Sequence, residues 1–404
     1  MQIGIIGAGA SGLCAAIQSK QLGMDVHLLD ANASPGRKLG ATGSGRCNIS
    51  NQQAAAMQYF TDDQNALQKC FAKIPSVQVL TFLEACGIPT TASQDGWIYP
   101  QSYSAANVVD ILMDDLKHID LHTSTLITEI TRTTDGFILH SANPALQYRC
   151  EKLILACGSP ANPQLGSRAI LYDSITRLGH TILPVRPALS PIETDPAPFH
   201  KLQGVRLDAG VELRHENKPV AQNIGNIIIT QWGLNGPGVM DISHWIDPGK
   251  PDSYQLKIDF APRCGGEIER ALSAAKNAGR SLQALLKAYL PAKVVDFLLR
   301  QTRLEAHLHC GDMHQSQKEG LLHAIRNQIV AVRGVRGFKF AQASTGGVPL
   351  GEIHPATMQS KRCPGLFFAG EIVNVLGPCG GFNLHWAFLS ALIAANGLVE
   401  KERD

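Results

Sequence analysis

The stretch that decides the fold lies near the start of the chain, where residues 3–12 read Ile-Gly-Ile-Ile-Gly-Ala-Gly-Ala-Ser-Gly. The apolar run Ile3–Ile6 predicts a short buried strand, and Ser11–Leu22 has the residue pattern of a helix. Asp25–Asp30 predicts a second apolar strand. Together these segments predict a β-α-β unit of about 30 residues.

The glycines between this strand and helix have the spacing of a dinucleotide-binding turn. Gly7 permits the tight turn, Gly9 lets the backbone approach a pyrophosphate, and Gly12 lets the helix pack on the strand. Asp30 ends the second strand, where its carboxylate can accept hydrogen bonds from a ribose diol. A plain glycine-rich turn would not account for Asp30, so we expect a dinucleotide site.

Three later segments favour FAD over NAD. Gly36-Arg37-Lys38 follows Asp30 closely, so two cations can lie over adenine and phosphate. The predicted strand Lys152–Ala156 ends in small residues, and the predicted strand Leu366–Ala369 ends in Gly370-Glu371. We expect this last acid to bind the ribityl chain or hydroxyls near the pyrophosphate.

A second Gly-x-Gly-x-x-Gly is absent from residues 150–340. A separate NAD(P)H domain is therefore not expected. Any nicotinamide donor is expected to bind transiently over the flavin.

The order of the segments predicts an α/β protein with a discontinuous Rossmann-type FAD domain. The proline-rich segment Pro184–Pro198 marks a boundary, Val205–Asp259 contains strand-like segments, and Gly266–Leu304 is predicted to be helical. The predicted domains are 1–187 with 340–404 for FAD, 188–265 with 326–339 for a β-rich substrate domain, and 266–325 for a helical insert. Further expectations are a loop at Gly36–Asn51, a strand over Leu121–Ile130, an amphipathic helix over Leu321–Val330 and a last helix over Asn383–Asn396.

Composition limits the cellular setting and the class of partner. The 404 residues are 44% hydrophobic with a net charge of +2, which favours two or three domains and gives no general attraction to nucleic acid. Ten cysteines without a Cys-x-x-Cys pair are typical of a reduced, cytoplasmic protein. We expect no signal peptide, and Trp386–Ala395 is too short for a membrane span.

At four blocks the chain resembles the BaiN/YhiN-like flavoproteins, also described as aminoacetone-oxidase-family or NAD(P)/FAD-dependent oxidoreductases. Gly36–Leu39 with Thr42–Asn48 resembles the signature loop of that family, and Gly96–Pro100 resembles its second block. Ser344–Val348 resembles the third, and Gly377–Leu384 resembles the C-terminal flavin loop. The resemblance covers the whole chain and implies a two-dinucleotide-binding-motif flavoprotein.

Motifs and resemblance together predict one set of residues that contact FAD. We expect the start of the last helix to face the flavin N1–C2=O edge, which becomes negative on reduction. The predicted contacts are Gly7, Gly9, Ala10, Ser11, Gly12, Asp30, Gly36, Arg37, Lys38, Thr42, Gly43, Gly45, Arg46, Cys47, Asn48, Ile127, Ala156, Gly158, Gly370, Glu371, Gly380, Gly381, Phe382, Asn383 and Leu384.

Two side chains are candidates for catalysis, and each has a simpler interpretation. Cys47 offers a thiol, yet no paired cysteine or adjacent histidine base accompanies it, so packing by the ring is favoured. His385 offers a proton donor near the ring, but a structural histidine is favoured. A cluster of histidines and a cysteine does not close a tetrahedral site, so no metal is expected there. Its members are His307, His309, Cys310 and His314.

The sequence also departs from the pattern of the resembled family. Asn374 replaces a usual aspartate, His385 a usual glutamine, and Trp97-Ile98-Tyr99 a usual Arg-Val-Phe. Gln231 lies in a further altered block, Thr230–Pro237. We expect these changes to leave FAD binding nearly unaffected, and neither the substrate nor the activity of the resembled family is carried over to this chain.

The sequence therefore predicts an enzyme that transfers hydride between flavin N5 and a small organic substrate. NAD(P)H or O₂ would supply the other half-reaction. Two alternatives remain open: a flavin-dependent reductase of uridine in ribosomal RNA, and a non-catalytic FAD-binding redox sensor. The residues nearest to a basic patch are Arg326, Arg333, Arg336 and Lys339.

Overall fold

The computed structural model describes residues 1–400, apart from the side chain of Lys276. Two compact units are present. One unit comprises Met1–Arg186 with the described part of Gln342–Asp404, and the other comprises Pro187–Ala341. The N-terminal and C-terminal parts of the chain therefore fold together.

Each unit contains both strands and helices. The strands are β1 (Gln2–Ile6), β2 (Asp25–Leu29), β3 (Ser50–Asn51), β4 (Phe60–Thr61), β5 (Thr90–Ala92), β6 (Trp97–Pro100), β7 (Asp120–His122), β8 (Ile127–Thr133), β9 (Gly136–Ser141), β10 (Gln147–Cys150), β11 (Lys152–Leu155), β12 (Leu183–Ala188), β13 (Ile192–Thr194), β14 (Arg206–His215), β15 (Lys218–Ile229), β16 (Gly233–Asn235), β17 (Tyr254–Asp259), β18 (Gln328–Val335), β19 (Ala343–Gly347), β20 (Ile353–His354), β21 (Gln359–Ser360), β22 (Leu366–Phe368) and β23 (Val375–Leu376). The α-helices are α1 (Ala10–Gln21), α2 (Arg37–Gly40), α3 (Gln64–Lys73), α4 (Ser76–Ala85), α5 (Ala105–Asp114), α6 (Tyr172–Arg177), α7 (Pro237–Met240), α8 (Gly265–Ser273), α9 (Leu282–Leu286), α10 (Ala292–Thr302), α11 (Gln315–Arg326) and α12 (Phe382–Gly397).

A seven-stranded sheet organises the first unit, in the order β20-β21-β22-β11-β1-β2-β7. Strands β22, β11, β1, β2 and β7 run parallel, and β20 and β21 are antiparallel additions. The central strands are nearly continuous apolar runs because both faces of a parallel sheet are covered. The order places the ends of β1, β11 and β22 side by side, where the predicted FAD motifs begin.

Helices α1 and α12 join the two ends of the chain. The Cys14 thiol in α1 lies 3.7 Å from the carbonyl oxygen of Phe388 in α12, and the amide of Gln18 donates to Asn396 at 3.1 Å. Because α12 is buried on nearly all sides, apolar residues predominate on every face and the helix is not amphipathic.

The second unit contains a closed antiparallel barrel in the order β13-β16-β15-β14-β17-β18. Closure leaves no unpaired sheet edge. Helices α8 to α11 lie between β17 and β18 and share one hydrophobic core with the barrel. In that core, Phe199 packs at 6.0 Å from Phe260 and at 5.9 Å from Phe297, measured between ring centroids.

The prediction of a helix over Leu321–Val330 is wrong for the C-terminal half of that segment. Helix α11 begins at Gln315 and ends at Arg326, and β18 starts at Gln328. The residues of β18 alternate between buried and exposed positions and pair with β17 and β13 to close the barrel. That long-range pairing outweighs the local helical spacing.

Three other boundaries also differ from expectation. The expected loop Gly36–Asn51 contains the short helix α2 and a 3₁₀ turn at Thr42–Gly45. The strand expected over Leu121–Ile130 divides into β7 and β8, because Ser124 adopts a positive φ of 52° that ends the first strand. The helical span Gly266–Leu304 divides into α8, α9 and α10. Within residues 1–400, every helix is too short or too polar to cross a membrane.

Two glycines of the first turn give a matched test of this packing. A Cβ at Gly12 would lie 1.7 Å from the carbonyl oxygen of Gly7, whereas one at Gly9 would meet no atom within 4 Å. In the flavin-free protein we therefore expect Gly12→Ala to lower the free energy of unfolding by about 3 kcal/mol and Gly9→Ala to leave it nearly unchanged. Denaturant titration of the two variants measures this, and equal stability of both would contradict the packing.

Candidate dinucleotide and flavin site

The turn between β1 and α1 is held by the Asp30 carboxylate. Asp30 is buried at the end of β2, where one oxygen accepts from the backbone N–H of Ala8 at 2.6 Å. Its other oxygen accepts from the N–H of Asn32 at 2.7 Å. A carboxylate has about four acceptor positions, so Asp30 can still accept from a ribose hydroxyl.

The glycines of this turn fall into two groups. Gly7 has a φ of 101°, and a Cβ there would lie 2.5 Å from the carbonyl oxygen of Ala156. Gly7 and Gly12 are therefore required by packing within the protein. The space beside Gly9 and beside Gly158 is open, since a Cβ at either would meet nothing within 4 Å.

Helix α1 begins at this open space. Its N-cap is Gly9, which provides no side-chain hydrogen bond, and its first turn contains no acidic residue. The N–H groups of the first turn lack acceptors within the helix. Their partial positive charge suits an anion such as a pyrophosphate.

The late strand β22 brings Gly370 and Glu371 to the same place. A Cβ at Gly370 would lie 2.6 Å from the Ser11 hydroxyl, so this residue packs on the start of α1. The Glu371 carboxylate accepts from Lys38 at 2.6 Å, from the Ser159 hydroxyl at 2.7 Å and from the Ser344 N–H at 2.9 Å. Glu371 thus connects four separate segments.

The two predicted cations differ in their surroundings. Lys38 is half-buried and paired with Glu371. Arg37 is exposed and donates to the Gln164 carbonyl oxygen at 3.1 Å. Gly36 has a φ of 69°, and a Cβ there would lie 2.8 Å from Val109 in α5, so this glycine is a packing requirement.

Two buried hydroxyl groups near Glu371 have no hydrogen-bond partner within the described chain. They belong to Tyr172 and Ser344. Burial raises the pKa of Tyr172, and the nearby Cys157 and Glu371 raise it further, so the phenol remains a donor. Buried polar groups normally find partners. These hydroxyls, the open glycines and the free helix N-terminus fit a group rich in phosphate and hydroxyl oxygens, as FAD is.

The C-terminal loop is closed by Asn383. Its amide accepts from the N–H of Gly377 at 2.9 Å and donates to the carbonyl oxygen of Gly377 at 2.8 Å. Gly381 is the N-cap of α12 with a φ of 94°, and a Cβ there would lie 2.1 Å from the carbonyl oxygen of Ser50. The first intrahelical bond runs from the His385 N–H to Gly381 at 2.9 Å. The N–H groups before it, including that of Leu384, lack intrahelical acceptors.

Three blocks of the resembled pattern meet at this loop. The Asn51 amide donates to the carbonyl oxygen of Gly380 at 2.8 Å, and a Cβ at Gly380 would lie 2.9 Å from the Trp97 indole nitrogen. With its amide nitrogen toward the carbonyl oxygens of Ile98 and Ser50, Asn48 accepts from the Gly381 N–H at 3.2 Å. Segments far apart in the sequence therefore fix the start of α12.

The segment before Asn48 has an unusual backbone. Gly43, Ser44, Gly45 and Cys47 all have positive φ values, of 58°, 56°, 84° and 58°. Positive φ costs about 1–2 kcal/mol for a residue other than glycine, so surrounding contacts must hold Ser44 and Cys47 in place. Such backbone strain often accompanies functional sites.

Neither catalytic candidate is charged at neutral pH. Burial raises the pKa of the Cys47 thiol to about 11, so it is not a thiolate. Burial lowers the pKa of His385 to about 4. Its Nδ1 lies 2.8 Å from the Ser50 hydroxyl and its ring stacks on Phe71 with centroids 6.0 Å apart. These surroundings favour packing roles for both residues.

The asparagine at position 374, in place of the usual aspartate, has a structural explanation. Its amide oxygen accepts from the Gly346 N–H at 2.8 Å, and its nitrogen donates to Asp62 at 2.9 Å. Asp62 also accepts from the N–H groups of Leu350 and Gly351, both at 3.1 Å. An amide at position 374 can therefore donate to the carboxylate of Asp62, which a second carboxylate could not do. The sequence alone did not indicate a role for Asp62.

The remaining sequence candidates lie elsewhere. Ile127 begins β8 with its side chain in the hydrophobic core. His307 pairs with Glu305 at 3.0 Å and His309 with Asp312 at 3.6 Å, both exposed. Among residues 1–400 the histidine cluster at 307–314 does not gather three metal-ligating groups.

The arginines of the basic segment are paired with carboxylates. Arg326 lies 3.2 Å from Glu269, Arg333 lies 3.4 Å from Asp252, and Arg336 lies 3.8 Å from Glu193. These pairs reduce the local positive charge.

Comparison with known proteins agrees with the geometry. Residues 1–397 match the family described as the HI0933-like protein Rossmann domain. The chain belongs to this family. A 3-dehydro-bile acid delta(4,6)-reductase of Clostridium scindens is 31% identical, with 99% of each chain covered. A ribosomal RNA dihydrouridine synthase of Escherichia coli is 28% identical, covering 98% of this chain and 97% of the relative.

A solved structure has a similar fold. The 3-ketosteroid-delta4-(5alpha)-dehydrogenase of Rhodococcus jostii RHA1 superposes with a TM-score of 0.53 at 12% identity, covering 99% of this chain and 97% of that one. The resemblance and the fold class expected from the motifs are confirmed. This member of the HI0933-like family is an FAD-dependent oxidoreductase.

The buried histidine gives a pH-dependent prediction. The pKa of His385 is about 4 in the folded chain and about 6.5 when unfolded. The unfolded state therefore binds more protons between these values, so the stabilisation is complete above pH 6.5 and is lost toward pH 4. We expect the stability advantage of the wild type over His385→Gln to fall by roughly 3 kcal/mol between pH 7 and pH 4. The same difference in unfolding free energy between wild type and His385→Gln at pH 7 and at pH 4 would contradict this. His118→Gln, at an exposed position, is the control.

The Asp62–Asn374 contact gives a second prediction. Asn374→Asp would place two carboxylates at a distance that is now 2.9 Å, so we expect a loss of about 2–3 kcal/mol of stability at pH 7. Adding Asp62→Asn should recover most of it, which a double-mutant cycle of unfolding free energies measures. Additive losses in the double variant would show that the two residues do not interact.

Proposed function

We propose that this enzyme is a reductase that adds two hydrogens across a carbon–carbon double bond conjugated to a carbonyl group, with NAD(P)H as electron donor. The observation that carries the proposal is the start of α12, where Asn48, Asn51 and Asn383 fix the preceding loop and the N–H groups of the first helical turn lack intrahelical acceptors. A helix N-terminus stabilises negative charge nearby. When bound, FAD supplies hydride transfer at N5, and its N1–C2=O edge becomes more negative on reduction.

The residues of the first unit would hold the cofactor. We propose that the open turn at Gly9 receives the pyrophosphate, Asp30 the ribose, and the Tyr172 and Ser344 hydroxyls further FAD oxygens. Cys47 and His385 would pack beside the site as neutral groups. They would help to bind and orient the cofactor. We also propose that 1–187 with 340–404 form the FAD domain, and that 188–265 with 326–339 form the substrate domain, with 266–325 as its helical insert.

The names of the relatives support the direction and the type of bond. A delta(4,6)-reductase of a 3-dehydro-bile acid and a dihydrouridine synthase both add hydrogen to a double bond conjugated to a carbonyl. A small molecule is favoured over RNA as substrate because the net charge is +2 and the basic segment is paired with acids. Reduction of uridine in ribosomal RNA is the second candidate, supported by the 28% identical relative.

The decisive experiment follows the flavin absorbance without oxygen. Addition of NADH or NADPH to the yellow protein is expected to bleach it, and a steroid enone added next should restore the colour while gaining two hydrogens. Gly9→Val is the control, since its side chain would enter the open space at the turn; we expect it to fold without flavin.

Three results would contradict the proposal in different ways. Bleaching by an amine and by neither nicotinamide would indicate an oxidase. Recovery of the colour only with uridine-containing RNA would select the second candidate. A bound flavin that no donor reduces would indicate a redox sensor.

A further inference from the structure

A cluster of two histidines and an aspartate lies on the main sheet, away from the glycine turn. His27 is on β2, and Asp120 and His122 are on the edge strand β7. His27 pairs with Asp120 in the parallel register. Because side chains alternate along a strand, residues 120 and 122 project from the same face. The backbone therefore places all three side chains together.

The three groups converge on one carboxylate oxygen. The His27 Nδ1 lies 2.6 Å and the His122 Nε2 lies 2.9 Å from the Asp120 Oδ2. The two imidazole rings are nearly parallel, with centroids 6.0 Å apart. All three side chains are partly exposed, so a cation and a water molecule can reach them. One ligand atom from each lies within 4.8 Å of the others.

This arrangement has the donor set of a three-ligand transition-metal site. Zn²⁺ binds imidazole nitrogen and carboxylate oxygen at about 2.0–2.2 Å, often with three protein ligands and a water molecule. The present nitrogen–oxygen distances of 2.6 and 2.9 Å need to widen by roughly half an ångström around such a tetrahedral ion. Gln2 supports it, because its side-chain amide lies 2.6 Å from the His27 Nε2. After the amide rotates, its oxygen can accept the Nε2 proton and leave Nδ1 free to bind metal.

We propose that His27, Asp120 and His122 form a binding site for a divalent transition-metal cation, with Zn²⁺ as the best-fitting probe. The ion would bridge β2 and β7 close to the FAD motif. The N–H of Asp30 donates to the His122 carbonyl oxygen at 2.9 Å, so the bridge would reinforce the strand pairing that positions Asp30. A cation that binds only the folded chain raises its stability.

The first test is equilibrium dialysis of the chelator-treated full-length protein against Zn²⁺, followed by metal analysis. The wild type is expected to retain zinc that His122→Ala and Asp120→Asn bind at least about tenfold more weakly. His118→Ala, which removes an exposed histidine outside the cluster, should bind as the wild type does. Zinc should also raise the unfolding temperature of the wild type and of His118→Ala only.

A second test needs no variant. Zinc is expected to protect His27 and His122 of the wild type from diethyl pyrocarbonate, as mapped by mass spectrometry, and to leave His118 reactive. Equal zinc binding by all variants, or equal reactivity of the three histidines with and without zinc, would overturn the proposal. Both tests are independent of the redox assay, so a negative result would leave the proposed reductase function unaffected.

Discussion

The close approach of Gly12 to the carbonyl oxygen of Gly7 is the constraint on which the FAD motif depends. It lets α1 begin directly behind β1, with its unbonded N–H groups beside the open face of Gly9. The Asp30 carboxylate then fixes the turn through the Ala8 N–H. A larger residue at the contact would move the helix start and the anion site with it.

The same site is completed from the other end of the chain. Gly370 packs on Ser11, and Glu371 ties this strand end to the segments of Lys38, Ser159 and Ser344. Around the start of α12 the fixed groups are backbone N–H groups and amide side chains, and the thiol and imidazole nearby are neutral. The polypeptide thus contributes preorganised dipoles, and the redox chemistry belongs to the cofactor.

Features that depend on neighbouring residues were predictable from the sequence. The first β-α-β unit, its glycines and Asp30 lie within thirty residues, and their spacing carries the geometry. Features that depend on distant pairing were missed. Gln328–Val335 becomes a strand because it closes a barrel. Likewise, no local motif surrounds Tyr172, so its place near Glu371 could not be predicted. The contact between Asp62 and Asn374 joins residues 312 positions apart in the sequence.

We propose that this chain holds FAD at the Gly7–Gly12 turn. The most direct measurement is to denature the purified protein, separate the released cofactor by chromatography and quantify it per chain. The structure predicts close to one FAD per wild-type chain. Release of FMN instead, or of no flavin after incubation with excess FAD, would contradict it.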